Sequence, residues 1–342
     1  MIRKSIKPLL LMSMVFGLTA CGGNSGDSVS SNQSSDVSIR FSDAPIGDLS
    51  AVVITVDKLI FNREGEDIEV DTFTSDELGI EDADTFQIDL LEVQGLDNRL
   101  VMDSVTLPVG DYQNLRIKIL DTDIDDTYVM EQNGSVPKKL KVPSGELKLG
   151  SFKVSDTATQ TFVVEFALNH AMTYNPGPDR YILKPRGVRI VRLDEAAHIS
   201  GTVDLSNIHL REECNDKLDS SVGNVAYLYS GHDLNEQLLG DMFVRSDDSS
   251  EFLEFDADVP ANIIQPVAST PIDGVTGDYL FSYLKEGSYT LAISCKAEND
   301  DPVIFDNIGI PLPAGQLIEL ELGNGNSLEC NFPDPESCFS VN

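Results

Sequence analysis

The sequence predicts an all-β chain: two β-sandwich domains behind a short leader and a tether. Three observations lead there. Short runs rich in Val, Ile, Leu, Phe and Tyr recur with a period of two, the alternation of strands with one buried face. Gly, Pro, Asp and Asn separate them, as turns require. No long stretch carries the 3.6-residue period of an amphipathic helix. With 342 residues, 41% of them hydrophobic, the chain can build two cores of ordinary domain size.

The first 20 residues read as an export signal. Arg3, Lys4 and Lys7 open a stretch free of acids, and the apolar run Leu9 to Ala20 is only 12 residues long. A membrane-spanning helix needs about 20 apolar residues, so the run is a signal core. Leu18-Thr19-Ala20-Cys21 then resembles the lipobox of bacterial lipoproteins: Leu, a small residue, Ala or Gly, and Cys. That resemblance implies loss of residues 1–20 and a membrane attachment through lipid on Cys21, with several acyl chains such as palmitate. More than one chain is what stable anchoring requires physically. An ordinary secretory signal with an incidental Cys is the alternative. Gly22, where an Asp would retain such a protein at the inner membrane, implies by the same resemblance the outer membrane of a Gram-negative cell, on its periplasmic or surface face. After Cys21, residues 22–36 are mostly Gly, Ser, Asn, Asp and Gln. They cannot bury a core and are expected to form a flexible tether with a reach of about 20 Å.

The formal charge is −33, and −36 once the three leader cations are removed. Such a chain is repelled by nucleic acids and anionic lipid heads, which excludes nucleic acid as a partner. Its acids are expected to serve mainly as solvated surface; divalent-cation binding is the sharper alternative. Of five cysteines, Cys21 is assigned to lipid, leaving Cys214, Cys295, Cys330 and Cys338 for an oxidising compartment. Four cysteines allow three pairings. The expected set is Cys330–Cys338, around the turn Phe332-Pro333-Asp334-Pro335, with Cys214–Cys295. Closing these loops contributes about 2.5 and about 4.5 kcal/mol in the chain-entropy account. A zinc site would need close Cys-x-x-Cys spacing or nearby His partners, which the sequence lacks.

The first sandwich is expected over residues 37–193. Val37–Phe41, Leu115–Ile119 and Phe162–Phe166 alternate cleanly, Ala51–Phe61 is rich in β-branched residues, and Leu100–Leu107 and Val188–Leu193 add two more strands. One short helix is expected around Asp89 to Gln94. Asp43-Ala44-Pro45 reads as a turn, with Asp43 bonding a nearby backbone N–H and Pro45 fixing φ. Lys184-Pro185 reads as an edge or bulge. Five pieces in order then resemble the bacterial lipoprotein family called domain of unknown function 4382. They are Phe41-Ser42-Asp43-Ala44-Pro45, Leu107 to Tyr112, Val142-Pro143-Ser144-Gly145, Phe166 to His170, and Tyr181 to Pro185. The resemblance covers about residues 37–193. It departs at Ala167-Leu168-Asn169, where the family pattern tends to carry an Asp, and it implies no particular activity.

Asp121-Thr122-Asp123-Ile124-Asp125-Asp126 is the densest acidic run. Oxygen ligands at alternate positions are how a calcium loop begins, so Asp121, Asp123 and Asp125 are candidate calcium ligands, with Asp43 a possible fourth carboxylate. An EF-hand is excluded, because Asp126 and Gln132 stand where Gly and Glu are needed. Ser246-Asp247-Asp248 and Glu298-Asn299-Asp300-Asp301 read as solvated loops. The histidines (His170, His198, His209, His232) show no metal-ligand spacing, and no nucleophile elbow, phosphate loop or dinucleotide fingerprint occurs. Among 57 acids, a glycosidase carboxylate pair is unreadable. The absence of Trp weakens a sugar-platform reading.

The second sandwich is expected over residues 194–342. His198–Val203, Val222–Tyr229, Gly277–Leu284, Ser288–Ile293 and Gln316–Leu322 are its strands, and Lys285-Glu286-Gly287 is read as the loop of a hairpin. The order, from Ser200-Gly201-Thr202-Val203 to Gly287-Ser288-Tyr289-Thr290-Leu291, resembles the carboxypeptidase regulatory-like, transthyretin-type sandwich over about 198–322. That resemblance implies a non-catalytic structural or adhesive unit. An exposed insertion is expected around 246–276. The chain as a whole reads as a lipid-anchored binding or envelope-structural protein with an unknown protein or glycan partner, calcium being the one cofactor suggested. The alternative is an extracytoplasmic hydrolase, carbohydrate-active or otherwise, using two carboxylates.

Overall fold

A computed structural model describes residues 33–44, 49–157, 159–244, 259–302, 304–333 and 338–341. The leader, Cys21, the tether up to residue 32, Pro45, and residues 245–258 of the expected insertion lie outside the described residues. The fold is all-β, built as sandwiches.

The first core lies between a four-stranded and a nine-stranded sheet. In the smaller sheet the order is Val188–Arg192, Thr159–Phe166, Ser34–Asp43, Arg99–Pro108; Ser34–Asp43 runs parallel to Thr159–Phe166 and antiparallel to Arg99–Pro108. The larger sheet is organised on Leu49–Arg63, which pairs with Asn114–Leu120, Tyr128–Glu131, Glu66–Val70 and Phe86–Asp89. Alternation decides which face is buried. Val37, Ile39 and Phe41 are fully buried while Asp36 is exposed. Phe41 packs edge-on against Phe166 at 5.3 Å and meets Phe86 at 5.8 Å, and Phe86 in turn meets Phe73 at 4.9 Å. Each such ring stabilises by about 1.5–3 kcal/mol through burial. The expected short helix is a 3-10 turn, Leu90–Val93, capped by the Asp89 carboxylate accepting from Leu91 N at 3.0 Å.

The second core lies between two four-stranded sheets. One runs Asp278–Leu284, Ala197–Thr202, Ser327–Cys330, Cys338–Val341; the other runs Ala268–Pro271, Val225–Ser230, Gly287–Ser294, Leu317–Leu322. Ile199 and Phe281 face Leu228, Leu291 and Ile293 in a single cluster. Gly201 stands where the two terminal strands converge. A Cβ there would lie 1.7 Å from the Cys330 carbonyl oxygen, so no other residue fits. The second sheet is covered on its outer face as well: Tyr227 and Tyr229 point away from Ala226 and Leu228 into a separate cluster with Leu239, Met242 and Ile310. That double burial explains why Ala226–Tyr229 is buried without interruption.

Three expectations are corrected. Asp278–Leu284 and Gly287–Ser294 do not form a hairpin: the first pairs with Ala197–Thr202, the second with Val225–Ser230 and Leu317–Leu322. The connection is a corner that carries the chain from one sheet to the other, just after a register irregularity in the ladder at which Tyr283 takes φ 47° and Leu284 still pairs with Ala197. Ala268–Pro271, placed in the exposed excursion, is instead an edge strand beside Val225–Ser230. The sandwich also continues past Leu322, through Ser327–Cys330 parallel to Ala197–Thr202 and its partner Cys338–Val341.

Candidate functional site

The outer face of the smaller first sheet is not solvated. Phe162, Val164 and Phe166 point into the first core, so Val163 and Glu165 must point out, and both are fully buried. They are covered by the second region. Val163 and Val191 pack with Ala196 and Tyr283. Glu165 lies directly across the ladder from Arg189 and forms an ion pair with it. Ser282 donates to the same carboxylate. Arg189 also donates to the backbone oxygens of Ser282, at 2.7 Å, and Tyr283, at 3.1 Å. Tyr283 extends the seam: its hydroxyl donates to Leu96 O at 2.6 Å and accepts from Asn98 Nδ2 at 2.8 Å, and its backbone N–H meets His198 Nδ1 at 3.2 Å. Burial pushes the Glu165 carboxyl up, opposed by Arg189 and then Ser282.

Asp43 lies at the end of the Ser34–Asp43 strand, fully buried. The backbone N–H of the adjacent Ala44 acts on its carboxylate, as expected of a local bond, but partners far along the chain join it. Its carboxylate is approached by Gln94 Nε2 at 3.3 Å and by the N–H of Leu168, far along the chain, at 3.4 Å. Burial raises its pKa well above the carboxylate range, with Glu165 adding to the rise and the Gln94 and Leu168 bonds opposing it. Asp43 is therefore a buried knot between two motifs quoted above.

Beside this seam opens a cleft of about 690 Å³ lined by both regions. One wall comes from Pro143 to Lys148, with Ser144 held at φ 61°; another from His170 and the turn Lys184-Pro185-Arg186-Gly187. Phe243, Val244 and Gln265-Pro266-Val267 close it from the second region. Arg186 Nε donates to His170 O at 2.7 Å, and Asn169 Nδ2 reaches across to Ser269 O at 2.8 Å. Gly187, at φ +73°, lets the turn lie against Ala167 and Ala171. At the described rim Lys148 is exposed, and Glu146 is paired with Lys118 at 3.3 Å and lies 3.9 Å from Arg116, while Lys184 is buried in the wall. Burial, then Arg186 and Arg189, push His170 down to about 3, so it presents a neutral ring. A cleft of this size, lined by apolar side chains such as Phe243, Val244 and Val267 together with polar ones, has the character of a small-ligand site. No residue of the cleft drew attention in the sequence as a ligand contact, because its lining comes from five separated segments.

The acidic run is dispersed. Asp121 is buried, accepts from Val142 N at 2.7 Å and pairs with Lys141 Nζ at 2.7 Å. Asp123 and Asp125 are exposed, Asp123 accepting from Asp125 N at 3.3 Å. Among the described residues, no group of three or more His, Cys, Asp or Glu side chains is gathered to hold a metal ion. Asp43 has the partners given above. The cysteines are paired as Cys214–Cys295 and Cys330–Cys338.

With the geometry in place, the comparisons with known proteins can be stated. Residues 34–185 match the family model described as Domain of unknown function (DUF4382). This is the first sandwich up to the Lys184-Pro185 turn. No curated protein matches the chain. Among solved structures, the Bacillus anthracis TIE protein is 11% identical, with 87% of this chain and 33% of that one covered and a TM-score of 0.18. The chain thus spans about a third of that protein. GBS52, the minor pilin of Streptococcus agalactiae, is 12% identical over 87% of this chain and 94% of that one, TM-score 0.19. The tip fimbrial protein Mfa3 of Porphyromonas gingivalis is 10% identical over 90% and 98%, TM-score 0.19. Scores this low carry no argument about function. Among the described residues, no helix is long and apolar enough to cross a membrane.

Proposed function

We propose that this protein is a lipid-anchored extracytoplasmic binding module that does not turn its ligand over, and that an anionic ligand sits in the cleft between its two sandwich regions. The cleft carries the reading. It is ligand-sized, both regions build it, and the exposed cation Lys148 stands at its described rim. The two regions are clamped beside it by Glu165, Arg189, Ser282 and Tyr283, so the walls are preformed, which lowers the ordering cost of binding. A hydrolase of the two-carboxylate kind would need both acids facing the substrate; the described lining supplies Glu146 alone.

The anchor reading rests on the Leu18-Thr19-Ala20-Cys21 box, and Gly22 after it favours the outer membrane. Two measurements test the reading. Cys21→Ser is expected to move the protein from the membrane to the soluble fraction; a variant that stays with the membrane contradicts the anchor. Binding of an oligouronate probe is expected to weaken at least tenfold in Lys148→Glu, a substitution at an exposed rim position. Unchanged affinity would remove the cleft from the account.

A further inference from the structure

The outer cover of the second region holds two acids that no cation among the described residues pairs with. Asp241 is fully buried; its Oδ2 accepts from Ile308 N at 2.8 Å, while its Oδ1 is buried and has no hydrogen-bond partner. Asp300, on the segment between Gly287–Ser294 and Leu317–Leu322, accepts from the Tyr227 hydroxyl at 2.5 Å through Oδ2, and its Oδ1 is likewise buried without a partner. Among the described residues, the titratable groups that act on this pair are acids and phenols: Asp306, Asp301, Tyr227 and Tyr229. Among the described residues, no Lys, Arg or His forms an ion pair with either carboxylate. Ile308 and Ile310, on the same segment, pack onto Tyr227 and Tyr229.

One buried and one half-buried carboxylate without a countercharge among the described residues, each with a buried oxygen lacking a donor, are costly as anions. We propose that Asp241 and Asp300 form a proton-operated latch: protonated, they fasten Ile308 and Ile310 over the outer face of the second sandwich, and loss of the protons releases them. A carboxyl proton gives each orphaned oxygen a donor or removes its charge. Ionisation of both places like charges in one buried pocket, against the Ile308 and Ile310 packing. Burial, with the neighbouring acids, raises Asp241 to about 6 and Asp300 to about 7. These folded-state values lie above those of an unfolded aspartate, near 4. The folded protein therefore binds more protons across that window, and the contribution is full below about pH 4 and lost as pH rises through 6 and 7. The latch operates near neutrality.

The test is hydrogen exchange of the whole protein at pH 5 and pH 8, expressed as protection factors so that intrinsic chemistry cancels. Protection of the Ile308 and Ile310 amides is expected to fall at least tenfold between the two, with the first sandwich unchanged. Asp241→Asn and Asp300→Asn, which cannot ionise, are expected to flatten that dependence. A flat wild-type profile, or an undiminished dependence in both variants, would overturn the proposal. So would restoration of protection at pH 8 by millimolar calcium against EDTA, which would assign the missing countercharge to a cation. Should the variants fail to fold, carboxyl-carbon NMR of the wild type decides: titration of two aspartates between pH 5.5 and 8 supports the latch, and titration of all of them below 5 overturns it.

Discussion

Replacing Arg189 by Met isolates the seam that holds the two regions together. The substitution keeps an unbranched aliphatic stem but removes the guanidinium. Glu165, whose side chain is 1% exposed, then keeps only Ser282. Breaking a buried pair from one side costs about 3–5 kcal/mol. The two bonds to the Ser282 and Tyr283 carbonyls are worth about 1 kcal/mol each. Arg189 is 24% exposed, so part of the charge term is screened and the lower half of the range applies. The expected loss is about 5 kcal/mol at pH 7. Because burial already raises the Glu165 pKa, the carboxyl in the variant can escape by taking a proton, and the loss should shrink as pH falls. Glu165→Gln with Arg189→Met removes the uncompensated charge and should recover about 2 kcal/mol. Urea unfolding followed by tyrosine near-ultraviolet circular dichroism measures all three proteins. The chain has two large cores, so the transition of the second region has to be resolved from the first. A single variant losing under 1 kcal/mol, or a double variant no better than the single, would refute the argument.

Other consequences are direct. Removing Cys214–Cys295, which closes an 81-residue separation between two buried ends, should cost about 4 kcal/mol in the second region; equal unfolding midpoints for the Cys214→Ser/Cys295→Ser variant and the oxidised parent would contradict this. Gly201→Ala should destabilise by more than 3 kcal/mol, as expected for overpacking against backbone, or prevent the terminal strands from pairing; a stable variant with native exchange protection at Cys330 would count against that geometry. Thermal melts in EDTA and in millimolar calcium should coincide, because Lys141 already neutralises Asp121. A shift of several degrees, lost in Asp123→Asn, would restore the acidic run as a calcium site.

Much of the fold was legible because alternation is a strong signal. Val37–Phe41, Leu115–Ile119 and Phe162–Phe166 form strands within the observed ones. The disulfide partners also agreed with expectation. What alternation cannot report is a sheet buried on both faces. Glu165 and Arg189 looked like the solvated side of ordinary strands, yet they are the inter-region seam. One available signal was their pairing of opposite charge on neighbouring strands of a sheet. The hairpin was misread for a related reason: Lys285-Glu286-Gly287 suits a tight loop, and nothing local distinguishes a turn within a sheet from a corner between sheets. Asp300 was set aside as one acid in a polar loop, since burial beneath Tyr227 is a property of packing. The cleft was invisible because segments around residues 145, 170, 185, 243 and 266 meet only in the folded chain.

The most direct measurement is calorimetric titration of the whole protein with an oligouronate probe, followed by mass analysis of the probe after prolonged incubation. The account predicts saturable binding, weakened in Lys148→Glu, with the probe recovered intact. A shortened probe would make the protein an enzyme, and no binding heat at any probe concentration would leave the cleft without the anionic ligand assigned to it.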